Sequence, residues 1–420
     1  MAEIESELWD RADRLEKSDV VQAAWGRAES VREQNQLRVI RLLQEQALSE
    51  VDLAGTTGYG YDDRGREALE AIYAAVFGGE AALVRPQIAS GTHALAACLF
   101  GLLRPGDKLL AVAGKPYDTL ETVIGVRGNA PGTLVELGID YAEVPLTQDG
   151  QCDLPAVKSA LRDRAIRVAL LQRSRGYSWR SSIDVESLGG IIAAVKEERP
   201  DVICLVDNCY GEFTEAKEPG HVGADVIAGS LIKNPGGGLA PYGGYVVGRE
   251  SLVERVAARL IAPGIGREVG ATAGWLRQAV QGLFLAPHVT AEALKGAVFG
   301  AAWFESLGFA VSPLPGGGRT DIIQAVRLGS AERLVAFCRG IQEAAILDAM
   351  ASPQPAPMPG YTEKVVMAAG GFVHGSSIEL SADGPLREPY VVYLQGGLVY
   401  EQIKLAVLLA SDEIFRVGEQ

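Results

Sequence analysis

Lys233 stands where a lysine is unusual. It follows the largely apolar run Asp225-Val-Ile-Ala-Gly-Ser-Leu-Ile and precedes Asn-Pro-Gly-Gly-Gly, so the pattern predicts a buried strand ending in a hydroxyl residue, a lysine and a glycine turn. Lysine is rarely buried unless paired, and desolvation depresses its pKa, which leaves an amine able to form an imine with an aldehyde. A lysine snorkelling from a strand end is the plainer alternative. Asp207 closes a second apolar run, Val202-Ile-Cys-Leu-Val, at the carboxyl edge where open α/β sheets bind ligands. An anion there can keep a pyridinium nitrogen protonated, and that protonation makes the ring an electron sink. A turn or helix-capping aspartate is its ordinary use. Ala89-Ser90-Gly91-Thr92-His93 is a small-residue turn opening an apolar helix; beyond N-capping, it offers free N–H groups and a positive dipole end to a phosphate. An amine for an aldehyde, an anion for a pyridinium and a cradle for a phosphate together suit pyridoxal 5′-phosphate (PLP).

Other chemistries lack their residues. No GxxxxGK[ST] occurs, and Gly58-Tyr-Gly60-Tyr-Asp-Asp63 lacks the last glycine of GxGxxG. The four histidines, His93, His221, His288 and His374, form no HxH or HxxxH pair, so no metal is expected. A serine triad lacks its GxSxG turn. The five cysteines are odd in number and form no CxxC pair, so reduced, buried thiols are expected. A net charge of −14, from 39 basic and 53 acidic residues, opposes binding to a nucleic-acid backbone. The longest apolar runs, 94–103 and 165–171, are far shorter than the roughly 20 residues of a membrane span. The opening MAEIESELWDRADRLEK lacks the order of a signal peptide, and a cytoplasmic location is expected.

The elements that must position these residues follow from periodicity. Val21, Ala24, Val31, Leu37, Ile40 and Leu43 recur at helical spacing, giving a helical arm over 1–55 of the kind that packs on a partner subunit. Helix 64–77, strand 81–85, helix 93–103 and strand 108–113 then alternate, and the runs 166–171, 202–206, 225–228 and 244–247 suit strands buried on both faces. A mostly parallel central sheet in a large domain, 56–290, is expected. A smaller α/β domain over 291–420 would carry strands 309–312, 321–326 and 390–395 with helices 331–350 and 399–409. The Pro-rich stretch 352–361 should be an exposed connector.

Four motifs, in order from about residue 50 to the end, resemble a known family. Thr57-Gly-Tyr-Gly-Tyr-Asp-Asp-Arg-Gly-Arg66-Glu, Ser90-Gly-Thr-His, Gly229-Ser-Leu-Ile-Lys233-Asn and Ile378-Glu-Leu-Ser-Ala-Asp-Gly-Pro-Leu-Arg-Glu-Pro389-Tyr are similar to the aluminium-resistance proteins, relatives of cystathionine and methionine lyases. The resemblance implies the α/β fold of PLP-dependent fold type I, aspartate-aminotransferase-like, in subunits that share active sites as dimers and pair into tetramers. It also implies carbon–sulfur lyase chemistry by β- or γ-elimination. Transamination or retro-aldol cleavage on the same scaffold, or a PLP-binding stress protein of low turnover, are the alternatives.

By the same resemblance, Lys233 would be the imine-forming lysine and general base, and Asp207 the pyridinium partner. Ser90, Gly91, Thr92 and Ser230 would be the phosphate ligands, and Tyr117 the aromatic residue stacked on the cofactor ring. Tyr59 and Arg64, or alternatively Tyr61 and Arg66, would reach a neighbour's cofactor phosphate. Arg387 is a candidate clamp for a substrate carboxylate, with Arg173 and Arg175 as a second candidate pair.

Overall fold

The computed structural model describes residues 6–358 and 361–418. Seven strands form the larger sheet: β1 (Ala81–Arg85), β2 (Lys108–Ala111), β3 (Asp140–Glu143), β4 (Ile166–Gln172), β5 (Ile203–Asp207), β6 (Val226–Ser230) and β7 (Gly244–Gly248), in the order β1-β7-β6-β5-β4-β2-β3. The pairings from β6 to β3 are parallel, whereas β7 runs antiparallel to both β6 and β1, so the sheet is mixed with a parallel majority. Valine, isoleucine and leucine dominate β4 and β5 because helices cover both sheet faces. Several of those helices begin on a side-chain cap that the sequence announces: Asp63 accepts from the Arg66 N–H, Ser90 from His93, Asp153 from Ala156 and Asp184 from Ser187.

Five further strands form the smaller sheet: β8 (Ala310–Ser312), β9 (Ile323–Arg327), β10 (Val365–Ala369), β11 (Ser381–Pro385) and β12 (Val391–Gln395), all antiparallel, in the order β10-β11-β12-β9-β8. One face packs on the helices Ala331–Glu343 and Tyr400–Gly418, and Phe299, Trp303, Phe304 and Phe337 lie wholly buried in that core.

The helix Leu276–Ser306 joins the two units and is hydrophobic nearly all round, with Pro287 inside it. The boundary expected after residue 290 falls inside this helix. The N-terminal arm is helical and makes contacts with its own chain. Its helices are Ser6–Glu16 and Asp19–Glu45; Val21 and Ala24 pack on Val298 and Ala302, and the Trp25 indole donates to the Lys295 carbonyl at 3.0 Å. Helix 331–350 ends early, at Glu343, and helix 399–409 runs on to Gly418. Strands β3, β10 and β11 carry no continuous β-branched run and were not expected. The Pro-rich connector holds only a bridge from Ala356 to Val365 among its described residues. No helix among the described residues is long and apolar enough to cross a membrane.

After β6 the chain closes a tight turn, Asn234–Gly236, where a Cβ on Gly236 would lie 1.7 Å from the Leu231 carbonyl oxygen. Gly236→Ala is therefore expected to cost about 3 kcal/mol or more, because backbone must move. Urea denaturation of the two proteins measures it.

Candidate active site

A cavity of about 670 Å³ opens at the carboxyl edge of the parallel strands, between the two sheets. Lys233 reaches it from the turn that follows β6. Asn234 locks that turn by donating from Nδ2 to the Tyr210 carbonyl at 3.0 Å and the Glu212 carbonyl at 2.9 Å. The Lys233 Nζ then sits 3.9 Å from the centroid of the Tyr210 ring, a cation–π arrangement. Burial alone would lower the Lys233 pKa. The Cys209 thiol, the Tyr210 phenol, the Asp207 carboxyl and the Tyr117 phenol around it outweigh burial and hold it well above the ordinary lysine value. The expectation of a depressed lysine is thus reversed: before an aldehyde arrives the group is an ammonium, and it must hand its proton to a neighbour to become a nucleophile.

Asp207, the last residue of β5, is buried and accepts the Cys209 N–H at 3.1 Å. Burial raises its pKa, with Lys233 pulling the other way. Such a carboxyl gains from any cation that enters. Ser90 caps the helix Gly91–Leu102, whose first-turn N–H groups have no partner inside the helix. A Cβ on Gly91 would come within 3.2 Å of both the Cys209 sulfur and the Ser230 Cβ, so the glycine keeps this corner open. Thr92 Oγ1 lies 2.8 Å from the Tyr117 hydroxyl, and the Tyr117 N–H donates to Gln172 Oε1 at 2.7 Å. Burial, then Asp207, pushes the Tyr117 phenol up, so it stays protonated.

The structure therefore brings Ser90, Gly91, Thr92, Tyr117, Asp207, Ser230 and Lys233 to one cavity. It does not bring all the expected residues there. Arg173 is fully buried outside it, donating to Asn208 Oδ1 and the Gly211 carbonyl at 2.8 Å each and pairing with Glu215, so it braces the loop after β5 instead of meeting a substrate. Arg175, two residues on, does line the cavity; its Nη1 donates to the Ser312 carbonyl at 2.9 Å, while Nε and Nη2 have no hydrogen-bond partner. Arg387 lines it too, half-exposed, 3.6 Å from Glu363 and donating to the Tyr177 carbonyl at 3.4 Å. Tyr59 and Tyr61 stack on each other at the surface, and Arg64 is exposed beside Asp52, all away from this chain's own cavity. Arg66 is buried and donates to the Gly60 and Gly270 carbonyls at 2.6 and 3.0 Å, which makes it a brace for the loop that carries the tyrosines.

Several lining residues escaped the sequence reading. Gln172 and Gln395 each end a strand, and a polar residue closing an apolar strand was the available signal. Tyr177, Tyr361, Tyr393 and Asp383 had none. Burial raises the Asp383 carboxyl to about 7. Among the described residues no group of histidine, cysteine and carboxylate side chains could hold a metal ion.

The methionine gamma-lyase family model matches residues 12–415 of the chain. YnbB of Bacillus subtilis strain 168 is 52% identical over 389 residues, covering 92% of each protein. The crystal structure of a carbon-sulfur lyase involved in aluminum resistance from Clostridium novyi NT is 46% identical, covers 98% of this chain and 96% of its own, and superposes with a TM-score of 0.93. The pyridoxal-5′-phosphate-dependent protein YhfS of Escherichia coli, at 18% identity and a TM-score of 0.62, shares the fold.

Asp383 supplies a pH test. Its folded pKa, about 7, lies above the unfolded value of 3.8, so the folded state keeps a proton that the unfolded state loses between those values. Its contribution is fully present below pH 4 and falls as pH rises to 7, by roughly 4 kcal/mol at most. Asp383→Asn should remove that slope, and denaturation midpoints of both proteins from pH 5 to 8 measure the difference.

Proposed function

The chain belongs to the methionine gamma-lyase family, and from that premise we propose that it is a PLP-dependent carbon–sulfur lyase acting by β- or γ-elimination on a sulfur-containing amino acid. The observation that carries this reading is the convergence of Lys233, Asp207 and the capped helix start Ser90–Thr92 on one cavity. A cavity-facing amine, a buried anion and unpartnered N–H groups beside an open glycine corner fit the aldehyde, the ring nitrogen and the phosphate of PLP. We read the architecture as PLP fold type I, with an arm over 1–55, a large domain over 56–290 and a small domain over 291–420.

Bound PLP supplies an aldehyde for the amino group of the substrate and an electron-withdrawing ring for the charge left at the α-carbon. The chain does the rest. Asp207 holds the proton on the ring nitrogen, and its burial makes an unpaired charge there costly and a paired one favourable. Ser90, Gly91, Thr92 and Ser230 would hold the phosphate, and Tyr117, fixed by Gln172 and Thr92, would meet the ring. Lys233, once its amine is released, removes the α-proton. The α-carboxylate falls to Arg387 or to Arg175, which both line the cavity; Arg175 Nη2 has no hydrogen-bond partner, and its Nε lies 3.9 Å from Asp321. The sulfur group would leave as a thiol from the β carbon directly, or from the γ carbon once a second proton is taken from the β carbon, and the enamine product would take up water to give a keto acid and ammonia.

Tyr59 and Arg64 fit a role at a second subunit's cofactor phosphate, since they are presented outward on the loop braced by Arg66. The enzyme would then work as a homo-oligomer, a dimer of shared sites or a tetramer, in the cytoplasm.

Purified protein should be yellow, and borohydride reduction followed by peptide mapping should find the cofactor on Lys233. Lys233→Ala should lose at least ~10³-fold in turnover. Keto-acid and ammonia release from cystathionine, cysteine, methionine and homocysteine identifies the reaction, whereas amino transfer with no release of sulfur would sink it. Arg64→Ala and Lys233→Ala chains, each inactive alone, should regain activity when co-assembled, and a fully active monomer in sedimentation would refute the shared site.

A further inference from the structure

Beyond the cofactor residues, tyrosines line part of the same cavity, a tyrosine chamber that also has Arg175 and Arg387 nearby. Tyr177 stands 5.5 Å from Tyr361 and 5.2 Å from Tyr393, centroid to centroid, and Tyr210 closes the side toward Lys233. One carboxyl shares that chamber. Asp383 lies on β11 directly opposite Tyr393 of β12, so the two side chains stand on the same face of the smaller sheet. Gln395 donates to its Oδ2 at 3.2 Å and the Tyr177 hydroxyl lies against the carboxyl, while the buried Oδ1 makes no well-aligned hydrogen bond.

The other carboxyls of the cavity are matched. Asp118 and Glu121 pair with Arg127 at 2.8 and 3.0 Å, Glu121 also lies near Lys115, and Asp207 faces Lys233. Asp383 makes no ion pair among the described residues, although burying an unpaired carboxyl is costly. Burial holds the carboxyl above its ordinary range, and a cation arriving beside it would reverse that shift. Aromatic rings gathered round a carboxyl are the chemistry that receives an ammonium group: the ring faces attract the charge and the carboxylate takes its hydrogen bonds.

We propose that Asp383 and the tyrosine chamber form a receptor for a positively charged group on the substrate's side chain, so that the preferred substrates are sulfur amino acids bearing a second, distal ammonium. This rests on the reading of the site as that of an amino-acid enzyme. It separates substrates such as methionine, with a neutral side chain, from those with a cationic one. A neutral thioether would leave Oδ1 unpartnered, and a distal anion would be repelled once Asp383 ionises.

Calorimetric titration of the PLP-loaded enzyme with three probes tests it: S-(2-aminoethyl)-L-cysteine, S-propyl-L-cysteine and S-(2-carboxyethyl)-L-cysteine. Wild type should bind the aminoethyl compound at least about tenfold more tightly than the propyl compound, and the carboxyethyl compound least. Asp383→Asn, nearly the same shape, should abolish the aminoethyl preference and leave propyl binding within about twofold. Tyr361→Phe, which keeps the ring, should preserve the preference. Equal binding of all three probes by wild type, or an equal loss on all three in Asp383→Asn, would overturn the proposal. Should the aminoethyl preference hold while no probe releases sulfur, the receptor stands and the lyase reading falls.

Discussion

An ammonium and a carboxyl, Lys233 and Asp207, face each other in one cavity, and much of the surrounding structure serves to hold them there. Neither group could be buried alone at tolerable cost. Together with the Cys209 thiol and the phenols of Tyr210 and Tyr117, Asp207 holds the lysine in its charged form. The parallel strands fix the distance between them: Asp207 ends β5, and its neighbour in register, Ala228, lies on β6, two residues before the strand's last residue. The chain then needs only three more residues to bring Lys233 round to the same edge, and the Asn234 clamp holds it there.

This explains which parts of the site were legible in the sequence. Lys233, Asp207 and Ser90–Thr92 each sit at the end of an element whose pattern is local: an apolar run, then a polar residue, then a turn. Strand ends in a parallel sheet converge on one edge, so local reading was enough to gather them. Arg173 and Arg175 show where it stopped. They follow the same strand, two residues apart, and nothing local says that one is spent on the Asn208–Glu218 loop and the other faces the cavity. The answer lies in the packing of a distant loop against β4.

The tyrosine chamber was invisible for a related reason. Its four rings come from residues 177, 210, 361 and 393, and Asp383 joins them only through the register of β11 on β12. Strand β11 reads Ser-Ala-Asp-Gly-Pro, a composition that suggests a turn, yet its burial between β10 and β12 makes it a strand. Tertiary context overrides propensity there. For the helical arm, periodicity states that a face must be covered without saying by what, and here Val298 and Ala302 of the long helix cover part of it.

The long helix Leu276–Ser306 places a constraint on how such a chain can change through descent. Near its start, Gly282 lies against Gly236 in the lysine turn, where a Cβ would come within 2.2 Å of the Gly236 carbonyl oxygen; farther along, Gly296 admits Ile403 of the C-terminal helix just as tightly. These two contacts are separated by fourteen residues, about 21 Å of helix. Inserting or deleting one residue between them would turn one glycine away from its partner by about 100° and slide it by about 1.5 Å. Residues 283–295 can therefore exchange side chains freely on their outer faces, but their number is fixed, and descendants of this chain should differ in length almost anywhere else first.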